Sequence, residues 1–113
     1  MVKSLVVAAI VAVALFGAIQ ASDLILGTIL PGDRVLLSQG YVAAGVPNQI
    51  VSRNVSYNGL YNITAIRAYD RSVNRTGAAY LTSGGVGQRN VTILLQGRVL
   101  GAGYDYLVEI YGR

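Results

Sequence analysis

The chain of 113 residues has no cysteine, no histidine and no tryptophan, only two prolines, and a single lysine, Lys3. Without cysteine there are no disulfide staples, no thiol nucleophile and no zinc–thiolate site. Without histidine there is no Ser-His-Asp arrangement, no imidazole general base and no imidazole metal ligand. The carboxylates are few: Asp23, Asp33, Asp70, Asp105 and Glu109. A paired-carboxylate glycosidase site needs two of them about 5–10 Å apart across a cleft, and these five fall mostly one per turn or strand. Catalytic residues, cofactor-binding residues and metal ligands are therefore not expected, and the chain reads as a non-enzyme.

What is present begins with a leader. Met1-Val2-Lys3-Ser4 carries one positive charge, Leu5 to Phe16 is unbroken apolar, and Gly17-Ala18-Ile19-Gln20-Ala21 brings small residues. This is the three-part pattern of a secretory signal peptide, with cleavage expected after Ala21. The apolar core is short of the ~20 residues a membrane-spanning helix needs. Residues 1–21 are thus expected to form a signal-peptide helix, leaving no membrane segment after cleavage. Residues 22–113, which is 113 − 21 = 92 residues, form one domain. At that size it folds on apolar burial and sheet hydrogen bonds alone.

The mature segment reads as all-β. β-prone runs stand at Asp23–Ile29, Arg34–Gln39, Asn48–Tyr57, Tyr61–Asp70, Ala78–Ser83, Asn90–Gln96 and Tyr104–Gly112. Turn signals separate them, and no stretch keeps a 3.6-residue period. Pro31-Gly32-Asp33 reads as a turn, Gly40 to Pro47 as a loop, and Asn58-Gly59 as a hairpin-type turn. Period-2 alternation puts Thr64, Ile66 and Ala68 on one face of their strand, Val91, Ile93 and Leu95 on one face of theirs, and Tyr104, Tyr106, Val108 and Ile110 inward. Six to seven short strands predict a small antiparallel β-sandwich, with a small barrel second.

The glycine-rich stretch Leu81–Leu95, LTSGGVGQRNVTILL, resembles a phosphate cradle only superficially. Gly87 is followed by Gln88 where a P-loop needs lysine, and the segment opens a strand where a dinucleotide fingerprint opens a helix. Its glycines instead predict a tight or bulged connection requiring positive φ. Four N-x-S/T sequons mark Asn54, Asn62, Asn74 and Asn90 as glycosylation candidates. Asn74 has the most loop-like setting, whereas Asn62 and Asn90 open apolar runs that are expected to shield them in part.

The eight tyrosines read as core-edge residues with the hydroxyl at the rim rather than as pocket lining. Beyond the leader, eight arginines face five acids, a net charge of +3. Arg67, Arg71, Arg75, Arg89 and Arg98 fall on or near loops and form a candidate patch for an anionic partner. There is no basic run and no arginine–aromatic interleaving of the kind RNA modules show, so nucleic acid is not an expected partner.

The blocks GDRVLLSQ, NITAIRAYDR, GAAYLTSGGVGQRNVTILL and the terminal VEIYGR occur in that order from Gly32 to Arg113. In this the chain resembles the insect multiprotein-bridging-factor-two family. The resemblance implies no catalytic residue and no cofactor. The family name implies a coactivator bridging a nuclear receptor-type regulator to the general transcription machinery, while many relatives are described as secreted salivary or venom peptides. The leader, and the lack of a basic import cluster, favour a secreted β-domain that meets a protein or glycan partner in saliva, venom, haemolymph or a similar secretion. Transcriptional bridging is the alternative. A self-assembling component of a secreted material, forming homo-oligomers through open sheet edges, is the third.

Overall fold

The computed structural model describes residues 22–113, so the expected leader helix lies outside the described residues. Among the described residues there are seven strands and no helix. They are β1 (Leu24–Gly27), β2 (Arg34–Ala43), β3 (Ser52–Asn58), β4 (Ile63–Asp70), β5 (Gly77–Gly84), β6 (Asn90–Gly97) and β7 (Tyr104–Gly112). A four-stranded sheet has the order β1-β4-β7-β2 and a three-stranded sheet the order β3-β6-β5, with every pair antiparallel. All-β was the expectation, and two sheets sharing one core are what is found.

The alternation that built the expectation also builds the core. Tyr106, Val108 and Ile110 of β7 meet Val91, Ile93 and Leu95 of β6, and all six are at most 2% exposed. Ile66 and Ala68 of β4, Val55 of β3 and Ala79 of β5 complete the layer. Burying a side chain of this size stabilises by roughly 1.5–3 kcal/mol. These contacts carry the stability that disulfides carry elsewhere.

Three expectations about local structure are corrected. The Gly40–Pro47 link is not all loop: β2 runs on through Gly40 to Ala43 because the long neighbour β7 keeps offering it a register, Gly40 against Leu107 and Tyr41 against Tyr106. Asn58-Gly59 is not a hairpin turn. β3 pairs with β6 and β4 pairs with β1 and β7, so these residues carry the chain from one sheet to the other. Thr64, Ile66 and Ala68 do not act as one core face: a register irregularity between Ile63 and Ala65 brings Ile63 into the core with Ile66 and Ala68, while the Thr64 hydroxyl donates to Asp33.

The turn chemistry is as expected at two places. Pro31 and Gly32 occupy the centre of a turn closed by Asp33 N–H donating to the Leu30 carbonyl at 3.0 Å. Gly32 has φ 89°, the left-handed value that the third residue of a type II turn needs. In the β5–β6 connection Gly84, Gly85 and Gly87 all have positive φ, at 70°, 135° and 89°. That connection also reaches the other layer: Gly87 N–H donates to the Ile63 carbonyl at 2.8 Å, and Ile63 N–H donates to the Gln88 carbonyl at 2.7 Å.

Candidate interaction surface

The two sheets present outer faces of opposite character. In the three-stranded sheet, residues whose neighbours along the strand point inward must point out. Cross-strand register then sets Ser56 against Thr92, Asn58 against Asn90, and Asn54 and Tyr80 on either side of Leu94. The Ser56 and Thr92 hydroxyls are hydrogen bonded to each other at 3.1 Å. No charged side chain interrupts this face of β3, β6 and β5. It offers amide and hydroxyl groups around the half-exposed Tyr80 ring. Such groups donate and accept neutral hydrogen bonds, the chemistry that polar uncharged partners need.

The four-stranded sheet carries its charges outward, and most are occupied within the fold. Arg67 of β4 donates to the carbonyls of Leu26 at 2.7 Å and Gly27 at 3.2 Å, closing the end of β1. Glu109 of β7 accepts from the Tyr111 hydroxyl at 3.0 Å, which pushes the Tyr111 phenol up. Arg71 pairs with Asp105 at 3.1 Å. At one edge Arg34 lies over the Tyr61 ring, 4.3 Å from its centroid, and across the gap between the sheets Arg53 lies 5.0 Å from that of Tyr41.

The remaining carboxylates hold loops in place. Asp33 accepts from Leu30 N–H at 2.8 Å, from the Thr64 hydroxyl at 2.7 Å and from Arg113 Nε at 2.7 Å. Those bonds, the Leu30 amide foremost, hold its carboxyl below the usual range. Asp70 is 6% exposed. It accepts from the Ser72 amide at 2.9 Å, the Ser72 hydroxyl at 2.5 Å and Gly77 N–H at 3.1 Å. Burial acts to raise its carboxyl, but the Ser72 and Gly77 donors outweigh burial and hold it low. Asp23 accepts from Asp70 N–H at 2.7 Å and pairs with Arg75 at 3.3 Å. Tyr106, fully buried, donates its hydroxyl to the Ser22 carbonyl. Burial first, and then the Asp70 and Asp23 carboxylates, push its phenol well above the usual range.

The five arginines of the candidate patch are not gathered in one place. Arg71 and Arg75 belong to the β4–β5 connection, and Arg98 joins their end of the molecule through its N–H on the Thr76 carbonyl at 2.6 Å. Arg89 precedes β6 and Arg98 follows it, so the strand's eight residues separate them by about 26 Å. Arg67, Arg71 and Arg75 are engaged with carbonyls or carboxylates, whereas Arg89 and Arg98 make no ion pair among the described residues. The four sequon asparagines are all exposed, so the shielding expected at Asn62 and Asn90 is absent; each opens its apolar run with its own side chain outside. Asn54 and Asn90 share the uncharged face, Asn62 sits at the mouth of β4, and Asn74 sits on the β4–β5 loop. Of the tyrosines, Tyr41, Tyr104 and Tyr106 are core, and no pocket is found among the described residues.

Sequence reasoning missed the uncharged face as a unit. Its signal was present in the alternating Ser52-Asn54-Ser56-Asn58 of β3, but its partners on β6 depend on the pairing of strands remote in sequence. The Ser22–Asp70–Tyr106 cluster left no such signal.

Comparison with known proteins places this architecture. The family described as Transcription activator MBF2 matches residues 26–112, from within β1 to the end of β7. The chain belongs to this family. The resemblance carried by NITAIRAYDR, the SGGVG block and VEIYGR is therefore borne out across both sheets. A relative from Bombus ignitus, named probable salivary secreted peptide, is 36% identical over 97 residues, spanning 83% of this chain and 72% of the relative. No solved structure matches the chain.

Proposed function

We propose that this member of the MBF2 family is a secreted, non-enzymatic insect protein that acts by contact with a protein or glycan, presenting the uncharged face of β3, β6 and β5. The similarity to the salivary secreted peptide of Bombus ignitus carries this reading, together with the leader pattern of residues 1–21. The occupied carboxylates support a non-catalytic role: Asp23, Asp33 and Asp105 pair with arginines, Asp70 takes local donors, and Glu109 takes Tyr111. The exposed sequons fit passage through a glycosylating secretory route.

The family's description as a transcription activator favours a second reading, bridging of transcription factors inside the cell. The two separate cleanly by expression of the full chain in insect cells. Secretion predicts protein in the medium, lacking residues 1–21 and shifted in mass by glycosidase. Retention in the nucleus with Met1 intact would establish the second reading instead. Self-assembly finds its support in the edge strand β2, which has exposed Val35 and Val42 and only Arg34 as a charge. A mass by light scattering that rises with concentration is its signature.

A further inference from the structure

The residue that follows the leader pattern is held inside the fold. Ser22 is 7% exposed, its carbonyl accepts the Tyr106 hydroxyl, and its own hydroxyl faces the Arg75 carbonyl at 3.4 Å and the Asp70 carboxylate. The next residue, Asp23, is bonded to the Asp70 amide and the Arg75 guanidinium. Arg75 itself has a left-handed backbone, φ 54°, which a non-glycine residue adopts at a cost of about 1 kcal/mol. These contacts hold the loop in that shape.

The charges in this cluster do not balance. Asp23 and Asp70 bring two negative charges and Arg75 one positive, a net of −1. Asp70 is the more buried carboxylate, and every donor on it is neutral. Buried carboxylates are ordinarily met by a cation. The groups facing the cluster from the packed elements are Tyr106 of β7 and Tyr80 of β5, neither a cation.

We propose that Ser22 is the first residue of the mature chain and that its α-ammonium is the missing cation, seated between Asp70 and Asp23. This rests on the secretory reading above, and it adds a site and a role for the new terminus. Hydrolysis of the Ala21–Ser22 peptide bond by a leader-processing peptidase consumes one water. Its hydroxyl goes to the Ala21 carbonyl carbon, leaving a carboxylate, and the Ser22 nitrogen leaves as an amine that is protonated. That nitrogen lies within about 4 Å of the Ser22 Oγ whatever the rotamer, so the new charge falls at the cluster in which the Asp70 amide is bonded to the Asp23 carboxylate. An amide nitrogen in the uncut chain carries one donor and no charge. The ammonium carries three donors and the charge that brings the cluster to zero. Cleavage thus completes the fold as well as releasing the leader.

The composition supplies a clean test. Lys3 is the only lysine, so a chain beginning at Ser22 has one amine in total. Protein secreted from insect cells is treated with an amine-acylating ester at pH 7–8, native and denatured, and the mass is followed over time. In denaturant a single acyl group is expected, placed on Ser22 by N-terminal sequencing of the unlabelled protein. In the native state acylation is expected to be at least about tenfold slower, since each unit rise in the amine pKa lowers the free-amine fraction tenfold. Asp23→Asn and Asp70→Asn should each restore native reactivity. Asp23, at a half-exposed site, serves if Asp70→Asn does not fold. Equal native and denatured rates in the wild-type chain would overturn the docked ammonium while leaving secretion intact. Two acylated amines, Met1 and Lys3, would overturn both.

Discussion

The phenol of Tyr106 donates to the carbonyl of Ser22, a residue 84 positions earlier in the chain. This bond fastens the start of the domain to its last strand and makes Tyr106 more than a core ring. Tyr106→Phe keeps the ring and loses the bond. A cost of about 1–3 kcal/mol is expected because the Ser22 carbonyl is left buried without its donor. A thermal melt should show a midpoint lower by several degrees, since each kcal/mol moves a domain of this size by about 4–8 °C. Because the folded state pushes the Tyr106 phenol up, its contribution is whole below about pH 10 and lost as pH rises beyond it. Tyr106→Phe should lose that alkaline decline, and an unchanged pH profile would contradict the assignment.

Gly77 has no room for a side chain. A β-carbon there would lie 2.6 Å from Tyr106 Cε2 and 2.9 Å from its hydroxyl. Tyr106 has no space into which to retreat. Gly77→Ala is therefore expected to destabilise by about 1–3 kcal/mol, measured as a lower urea midpoint at unchanged m. Combined with Tyr106→Phe it should be less than additive, because the two residues touch.

Acid stability depends on Asp33 and Asp70. Both carboxyls are held below their ordinary value of 3.8 in the folded state. Their contribution is therefore present above about pH 4, where the unfolded chain is ionised, and is lost as pH falls through the lowered folded values. Urea titrations between pH 2 and 7 should show stability flat near neutrality and falling below pH 4. Asp33→Asn should make that fall shallower, and a slope as steep as wild type would count against the Asp33 network.

Glycan occupancy can be read site by site. Asn→Gln at positions 54, 62, 74 and 90, each tested in secreted protein, should remove one glycosidase-sensitive mass step wherever the site is used. Asn74, on an exposed loop, is expected to be occupied. A glycan on Asn54 or Asn90 would cover the uncharged face, so occupancy there decides whether that face is free to act.

Much of this fold was legible in the sequence because strand periodicity is local. Tyr104, Tyr106, Val108 and Ile110 announced the inner face of β7, and Val91, Ile93 and Leu95 that of β6. The glycines of the β5–β6 connection announced positive φ, and Pro31-Gly32 announced its turn. What depended on strand partners was not legible. Gly40 to Ala43 became strand because β7 lay alongside, and Asn58-Gly59 became a crossing between sheets because β3 and β4 chose different neighbours. Asp70 looked like a strand-end residue until the chain brought Ser22 to it. The uncharged face was half visible in β3 and invisible as a surface.

The pair of main-chain bonds between Ile63 and the Gly87–Gln88 segment acts like the spine of a book. At that end the two layers cannot part without breaking backbone bonds. At the other end they are joined by side chains, through Asp70 on Gly77 and Thr76 on the Gly103 carbonyl. Any opening that wets the core should start where Ser22 is docked and travel towards Ile63. Amide hydrogen exchange should therefore be slow at Ile63 and at Gly87, although Gly87 lies in a turn, where amides ordinarily exchange first.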